Sequence, residues 1–170
     1  MTLWEVLEAR RSIRAYQDRP VEPEKLEAVL RAANRAPSAG NLQAYEIHVF
    51  ADRPRQQALA VAALDQAFLA QAPVVLLFTA QAARAARYGR RGAELYCVQD
   101  ATLAAAYAQL AATALGLATC WVGAFDEAAV RRVADLPAGE RPLVLLPVGY
   151  AAENPPPTPR RELTDLVHRH

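Results

Sequence analysis

The chain has 170 residues, 53% apolar and 22% charged, with 19 basic and 18 acidic side chains and a formal net charge of +1. That length suits one domain with a real core, and the near-balance of charge argues against a whole-molecule field for nucleic acid, leaving only local patches. The two cysteines, Cys97 and Cys120, lie far apart with no CxxC spacing, which speaks against a disulfide framework.

The opening MTLWEVLEARRS lacks the charged, apolar and small-residue succession of a secretory leader, so a cytoplasmic location is expected. Thr2 and Glu5 form a T-x-x-E capping box, and Leu3, Val6 and Leu7 make one apolar face. The pattern predicts a helix from Thr2 to Arg11 or Ser12. It runs into RRSIRAY, Arg10 to Tyr16, which gathers three arginines and a serine. Taken alone this stretch is a solvated helix end, a nucleic-acid patch or a phosphate socket. Guanidinium forks and a hydroxyl suit a phosphate, but the last carbonyls of a helix disfavour an anion.

A second helix is predicted from Glu24 to Ala36, opened by Pro23 and stopped by Pro37. PSAGNLQ is a loop by composition. YEIHVF alternates as a strand, with Tyr45, Ile47 and Val49 on one face. A helix should cover Arg53 to Leu64, and PVVLLFTA reads as a strand buried on both faces. Arg84 to Gly92 is a basic, polar connection containing Tyr88.

No charged residue occurs from Ala101 to Phe125. The run is Ala-rich and holds Thr102, Gln109, Thr113 and Thr119, so it reads as a helix buried in a core or subunit interface, not a membrane span. That helix should run from Ala93 to Leu115, with Gly116 as its stop. LATCWVGAF reads as a strand entering a turn, Asp126 as the cap of a helix facing inward with Val130 and Val133, and PLVLLPVGYA as the last buried strand. ENPPPTP is a stiff linker before the tail RRELTDLVHRH, which carries a second basic pair, Arg160 and Arg161. Each basic cluster alone is solvated charge; converging on one phosphate, the two would be a site. The element order α α β α β α β α β describes one layered α/β or α+β domain.

The usual catalytic sets are missing. His48, His168 and His170 do not cluster, and no HExxH, cysteine pair or carboxylate cluster points to a metal. There is no GxSxG, P-loop or GxGxxG.

RRSIRAY, APSAGNLQAYE, GLATCWVGAFD, LPVGYA and PRRELTDLVH, in that order along nearly the whole chain, resemble the FMN-dependent nitroreductase family of flavin oxidoreductases. Ala44-Tyr45 stands where that family often has Pro-Trp, and the stretch from Phe68 to Glu94 is short for it, which predicts an open pocket. The resemblance implies an α+β three-layer fold, with a central mostly antiparallel sheet flanked by helices. It implies a single domain, 1–170, in a domain-swapped-style homodimer whose tail, 152–170, docks on the partner and whose interface holds two FMN sites.

By the same resemblance, Arg10, Arg11, Ser12, Arg160 and Arg161 would hold the FMN phosphate and ribityl chain, and Arg14 would face the pyrimidine edge. Cys120, Trp121, Val122 and Gly123 would lie along the ring near N5. Pro37, Ser38, Ala39, Asn41 and Gln43 would complete the site from the second subunit. The implied reaction is ping-pong: NADH or NADPH delivers hydride to the flavin, and a nitroaromatic, quinone or similar small-molecule acceptor then takes the electrons. No protein acid or base need be catalytic, because the flavin N5 carries the chemistry, and neither nucleic acid nor a membrane is an expected partner. Three alternatives stay open: dehalogenation or flavin breakdown on the same fold, a non-catalytic flavin-binding protein, and a non-flavin phosphate or nucleic-acid module using the arginine clusters.

Overall fold

The structure, a computed structural model, describes residues 1–170. Helix α1 (Leu3–Ala9) begins as its capping box dictates: the Glu5 N–H donates to Thr2 Oγ1 at 3.3 Å and the Thr2 N–H to Glu5 Oε2 at 2.7 Å. Of its expected apolar face only Val6 is buried; Leu3, Trp4 and Leu7 are exposed in the single chain. Helix α2 (Pro23–Ala33) stops at Ala33, not Ala36, and buries Val29 and Ala33. A 3₁₀ turn, Ala39–Asn41, leads to strand β1 (Tyr45–Phe50). Asp52 caps α3 (Arg53–Ala62) by accepting from the Arg55 N–H at 3.0 Å. This helix ends before Leu64, because Leu64 and Asp65 adopt left-handed φ of 60° and 59° on the way into the short α4 (Phe68–Gln71).

Strand β2 (Val74–Gln81) follows. The basic, polar connection after it is helical. A 3₁₀ run over Ala82–Tyr88, a turn α5 (Gly89–Arg91) and a π-helical turn over Gly92–Tyr96 feed into α6 (Cys97–Ala114). Gly116, at φ 74°, ends α6 as expected, and the Leu117 N–H reaches back to the Ala112 carbonyl at 2.8 Å. Then come β3 (Ala118–Thr119), α7 (Glu127–Val133) capped by Asp126, β4 (Glu140–Gly149) and α8 (Leu163–Leu166).

The sheet order is β1-β2-β4-β3 and every pairing is antiparallel. Because side chains alternate along a strand, β2 and β4 serve two cores. Val74, Leu76 and Phe78 of β2 join Val144, Leu146 and Val148 of β4 under α2 and α6. Val75, Leu77 and Leu145 face α3, α4 and α7 on the other side. Helices, sheet and helices thus form the three expected layers. The helix over the first face is alanine-lined: Ala101, Ala104, Ala105, Ala108 and Ala112 are all buried, so α6 lies close against the strands.

YEIHVF forms its expected strand, Tyr45–Phe50, while the LATCWVGAF reading needs correction. β1 is an edge strand, and Val49, on the face of Tyr45 and Ile47, is exposed. LATCWVGAF pairs as a strand only at Ala118–Thr119, leaves the sheet, and touches β4 again where Val122 and Leu145 exchange backbone hydrogen bonds of 3.0 and 2.9 Å. His48 is structural: its Nε2 lies 2.7 Å from Glu140 Oε2, which also accepts from Thr79 Oγ1 at 2.8 Å. No helix is long and apolar enough to cross a membrane.

Candidate functional site

RRSIRAY leaves α1 as extended chain and lies beside the end of β3. Ser12 pairs in parallel with Thr119, and the Ile13 N–H donates to the Thr119 carbonyl at 3.0 Å. Tyr16 pairs with Ala151, so the same stretch is tied to the chain leaving β4. The two basic clusters therefore approach each other from opposite ends of the sequence. They share a cavity of about 560 Å³, lined by Leu7, Glu8, Arg10, Arg11, Ser12, Arg14, Pro155 to Pro157, Thr158 and Arg160. Glu8 is its only carboxylate.

The members of this set are held differently. Arg11 folds back on α1 and donates to the carbonyls of Glu8 and, at 3.0 Å, Arg10. It occupies the helix-end acceptors that would otherwise repel an anion. Arg14 is fixed through its backbone N–H, which donates to the Glu153 carboxylate. The Arg10 and Arg14 guanidiniums form no ion pair within the chain. Arg160 is steadied by Thr158 Oγ1 at 2.9 Å. Arg161 does not join them: its Nη2 donates to the Asp165 carbonyl at 2.8 Å.

Beside Ser12 runs the Cys120–Gly123 stretch. Cys120 is buried, and burial pushes its thiol pKa up against the opposing pull of Arg14, so the sulfur is a neutral wall and not a nucleophile. Trp121 sits at the surface and Val122 is buried. A Cβ on Gly123 would meet nothing nearer than Trp121 Nε1, at 3.8 Å. Packing within the chain does not demand glycine there; its effect is to leave the backbone open to approach. Gln66 holds the following turn, donating to the Ala124 carbonyl at 3.0 Å and the Ala63 carbonyl at 2.8 Å.

The loop over 37–43 is built under strain. Gly40, Asn41 and Gln43 have φ of 56°, 57° and 48°, and two of them are not glycine. Glycine suits position 40, since it adopts the left-handed φ freely and a Cβ there would push Tyr88 Oη aside. Ser38 Oγ accepts from the Gln43 N–H at 3.1 Å, and Gln43 Nε2 donates to the Asn41 carbonyl at 3.0 Å. The main anchor is Asp100, which sequence reasoning missed. This buried carboxylate accepts from the Ala39 N–H at 3.0 Å and the Ala44 N–H at 3.2 Å, clamping both ends of the loop. Its one legible signal is that it is the only charged residue of α6.

Pro37, Ser38 and Ala39 line a second cavity, of about 540 Å³, with Tyr96, Val98, Gln99, Asp100, Thr102 and Leu103. No residue is common to the two cavities. The structure thus brings Arg10, Arg11, Ser12, Arg14 and Arg160 together, sets Cys120 to Gly123 beside Ser12, and gathers the 37–43 loop elsewhere.

Comparison with known proteins gives these parts a context. The nitroreductase family model matches residues 7–150. A protein of Thermus thermophilus named NADH dehydrogenase is 33% identical over 186 residues, covering 93% of this chain and 91% of its own. FMN reductase [NAD(P)H] of Bacillus subtilis is 33% identical over 173 residues, covering 94% of this chain and 70% of its own. Among solved structures, the NADPH:FMN oxidoreductase from Vibrio harveyi complexed with NAD+ superposes with a TM-score of 0.91 at 26% identity, covering 98% of this chain and 76% of that one.

Proposed function

This chain belongs to the nitroreductase family, and from that membership and the chemistry of the site we propose that it is an FMN-dependent oxidoreductase. It takes electrons from NADH or NADPH and passes them to a nitroaromatic, quinone or similar small acceptor, as a homodimer in the cytoplasm. One observation carries the reading: Arg10, Arg11, Ser12, Arg14 and Arg160, from opposite ends of the chain, line one cavity with a single carboxylate.

The residues fit FMN. A phosphate dianion asks for guanidinium donors and a hydroxyl, and Arg10, Ser12 and Arg160 offer them. Arg11 supports the phosphate or ribityl side while blocking the α1 carbonyls. Arg161 stands in reserve on the tail, which docks on the second subunit. A flavin ring asks for an uncluttered backbone edge, which Gly123 leaves open between Trp121 and the Gln66-held turn. Cys120 and Val122 back that edge from the core. Arg14 brings positive charge toward the pyrimidine edge. Asn41 and Gln43, with Pro37, Ser38 and Ala39, supply amide and backbone groups from the second subunit's loop. FMN bound there supplies hydride transfer at its N5. The chain's own residues bind, orient and tune, and the expected kinetics are ping-pong.

The purified protein is expected to be yellow, absorbing at about 450 nm as flavoproteins do. Anaerobic NADH or NADPH should bleach that band, and a quinone should restore it. A colourless protein that takes up no added FMN rules the reading out. A yellow protein that neither nucleotide bleaches is a flavin binder without turnover.

A further inference from the structure

The basic connection between β2 and α6 is the charged feature that flavin binding leaves unused. Residues 82–96 hold Arg84, Arg87, Arg90 and Arg91 against one carboxylate, Glu94. Since the whole chain carries only +1, the remainder is net acidic. The strap is docked, not loose. Tyr88 fills the space a side chain at Gly40 would need, and Arg84 Nε donates to the Leu42 carbonyl at 3.4 Å. It therefore rides on the back of the strained 37–43 loop.

Only Arg90 is neutralised, by two contacts of 2.8 and 2.9 Å to Glu94. The Arg87 guanidinium lies over the Tyr88 ring at 5.2 Å and that of Arg91 over Tyr96 at 5.6 Å. The two rings meet edge to face at 5.5 Å. The result is a surface strip in which two guanidiniums flank a pair of aromatic rings, and Arg87 and Arg91 have no acidic partner.

Building on the reading that the 37–43 loop closes one side of the flavin pocket, we propose that this strap recognises the adenosine end of the nicotinamide donor and selects NADPH over NADH. The nicotinamide must reach the flavin, so the rest of the dinucleotide extends outward past whatever flanks the ring. In the proposed dimer one such flank is the second subunit's 37–43 loop with its strap. NADPH differs from NADH by one 2′-phosphate, carrying roughly two negative charges. Two unpaired guanidiniums complement that group, while tyrosine and guanidinium planes suit an adenine face. The chain lacks the dinucleotide fingerprint whose acidic residue would grip a free 2′-hydroxyl.

The test uses the holoprotein, the variant Arg87→Ala/Arg91→Ala, and the charge-neutral control Arg90→Ala/Glu94→Ala. Anaerobic bleaching rates are measured against NADPH and NADH concentration. Calorimetry compares 2′,5′-ADP with 5′-AMP, probes that lack the nicotinamide. The wild type should favour NADPH, and the first variant should lose about tenfold toward NADPH and 2′,5′-ADP, the scale of one charge-assisted contact. NADH, 5′-AMP and flavin content should stay within about twofold, and the control should resemble wild type.

Equal bleaching of wild type by both nucleotides, or equal losses for both in the variant, overturns the proposal. So does a variant slowed only in reoxidation by free FMN, which would make the strap a reader of the acceptor's phosphate. Tighter, strap-dependent binding of oligothymidylate than of 2′,5′-ADP also overturns it, in favour of nucleic acid. A colourless wild type refutes the flavin site instead, and the 2′,5′-ADP measurement still judges the strap.

Discussion

Arg10 and Arg87 carry the same side chain and differ only in company. Arg10 faces a cavity shared with Ser12, Arg14 and Arg160, whereas Arg87 lies over the Tyr88 ring at 5.2 Å and lines neither cavity. A hydrogen bond to a charged phosphate is worth roughly 1.5–3 kcal/mol, so Arg10→Ala should weaken FMN retention by tenfold or more. Arg87→Ala should leave retention unchanged, whatever it does to nucleotide choice. Fluorescence titration of the stripped protein with FMN measures both; equal affinities would return Arg10 to plain solvated charge. Cys120 permits a second residue-level expectation. Its buried thiol has a raised pKa because burial disfavours the thiolate, the form that reacts. Cys97 is buried with its pKa raised the same way. Neither should react with a thiol-specific disulfide reagent at pH 8 in the folded protein, and both should react in denaturant. Rapid native labelling would mean the Cys120 wall is open.

At the scale of elements, the link that matters joins α6 to the 37–43 loop through Asp100. Asp100→Asn keeps one acceptor but points an amide at a backbone N–H, leaving a buried donor unsatisfied at a cost of about 1–3 kcal/mol. The melting temperature should fall by roughly 2–12 °C on the scale for a domain of this size, and FMN affinity should fall with it. Loss of stability with unchanged flavin affinity would show that the clamp holds the fold and not the site. Asp100 also marks where legibility ended. The Thr2 cap, the buried β2 and β4, the Asp126 cap and the Gly116 stop were readable because each follows a local rule: a spacing, an apolar run, a left-handed position. RRSIRAY and the loop stood out by residue type. Asp100 and Gln66 did not, because a lone carboxylate or amide reads as solvated until the fold shows backbone N–H and carbonyl groups around it. The 82–96 strap hid for another reason, since 3₁₀ and π turns lack the 3.6-residue period that betrays an α-helix. β3 was overextended because LATCWVGAF has strand composition, yet its chain bows away from the sheet after Thr119.

Across the whole molecule, a single chain looks unfinished. The arginine cavity and the 37–43 loop share no lining, and each would supply half of a flavin site. Leu3, Trp4 and Leu7 of α1 are exposed, as are Leu103 and Tyr107 of α6, and α1 packs against α6. The tail adds Leu163, Leu166 and Val167, also exposed. Large apolar groups left in water on adjoining helices mark a covered face, and a second copy that brings its loop to the arginine cavity would cover it and complete the site together. The chain should therefore migrate at twice its 18.5 kDa. Trp4→Asp separates assembly from folding. Trp4 is 74% exposed in the single chain, so the change costs the fold itself little, but it would bury a charge in a subunit interface. The variant should sediment as a folded monomer with an unchanged circular dichroism spectrum, and it should lose its yellow colour. A monomeric Trp4→Asp protein that kept its flavin would show that one chain holds the whole site, and the partner's loop would then have no part in it.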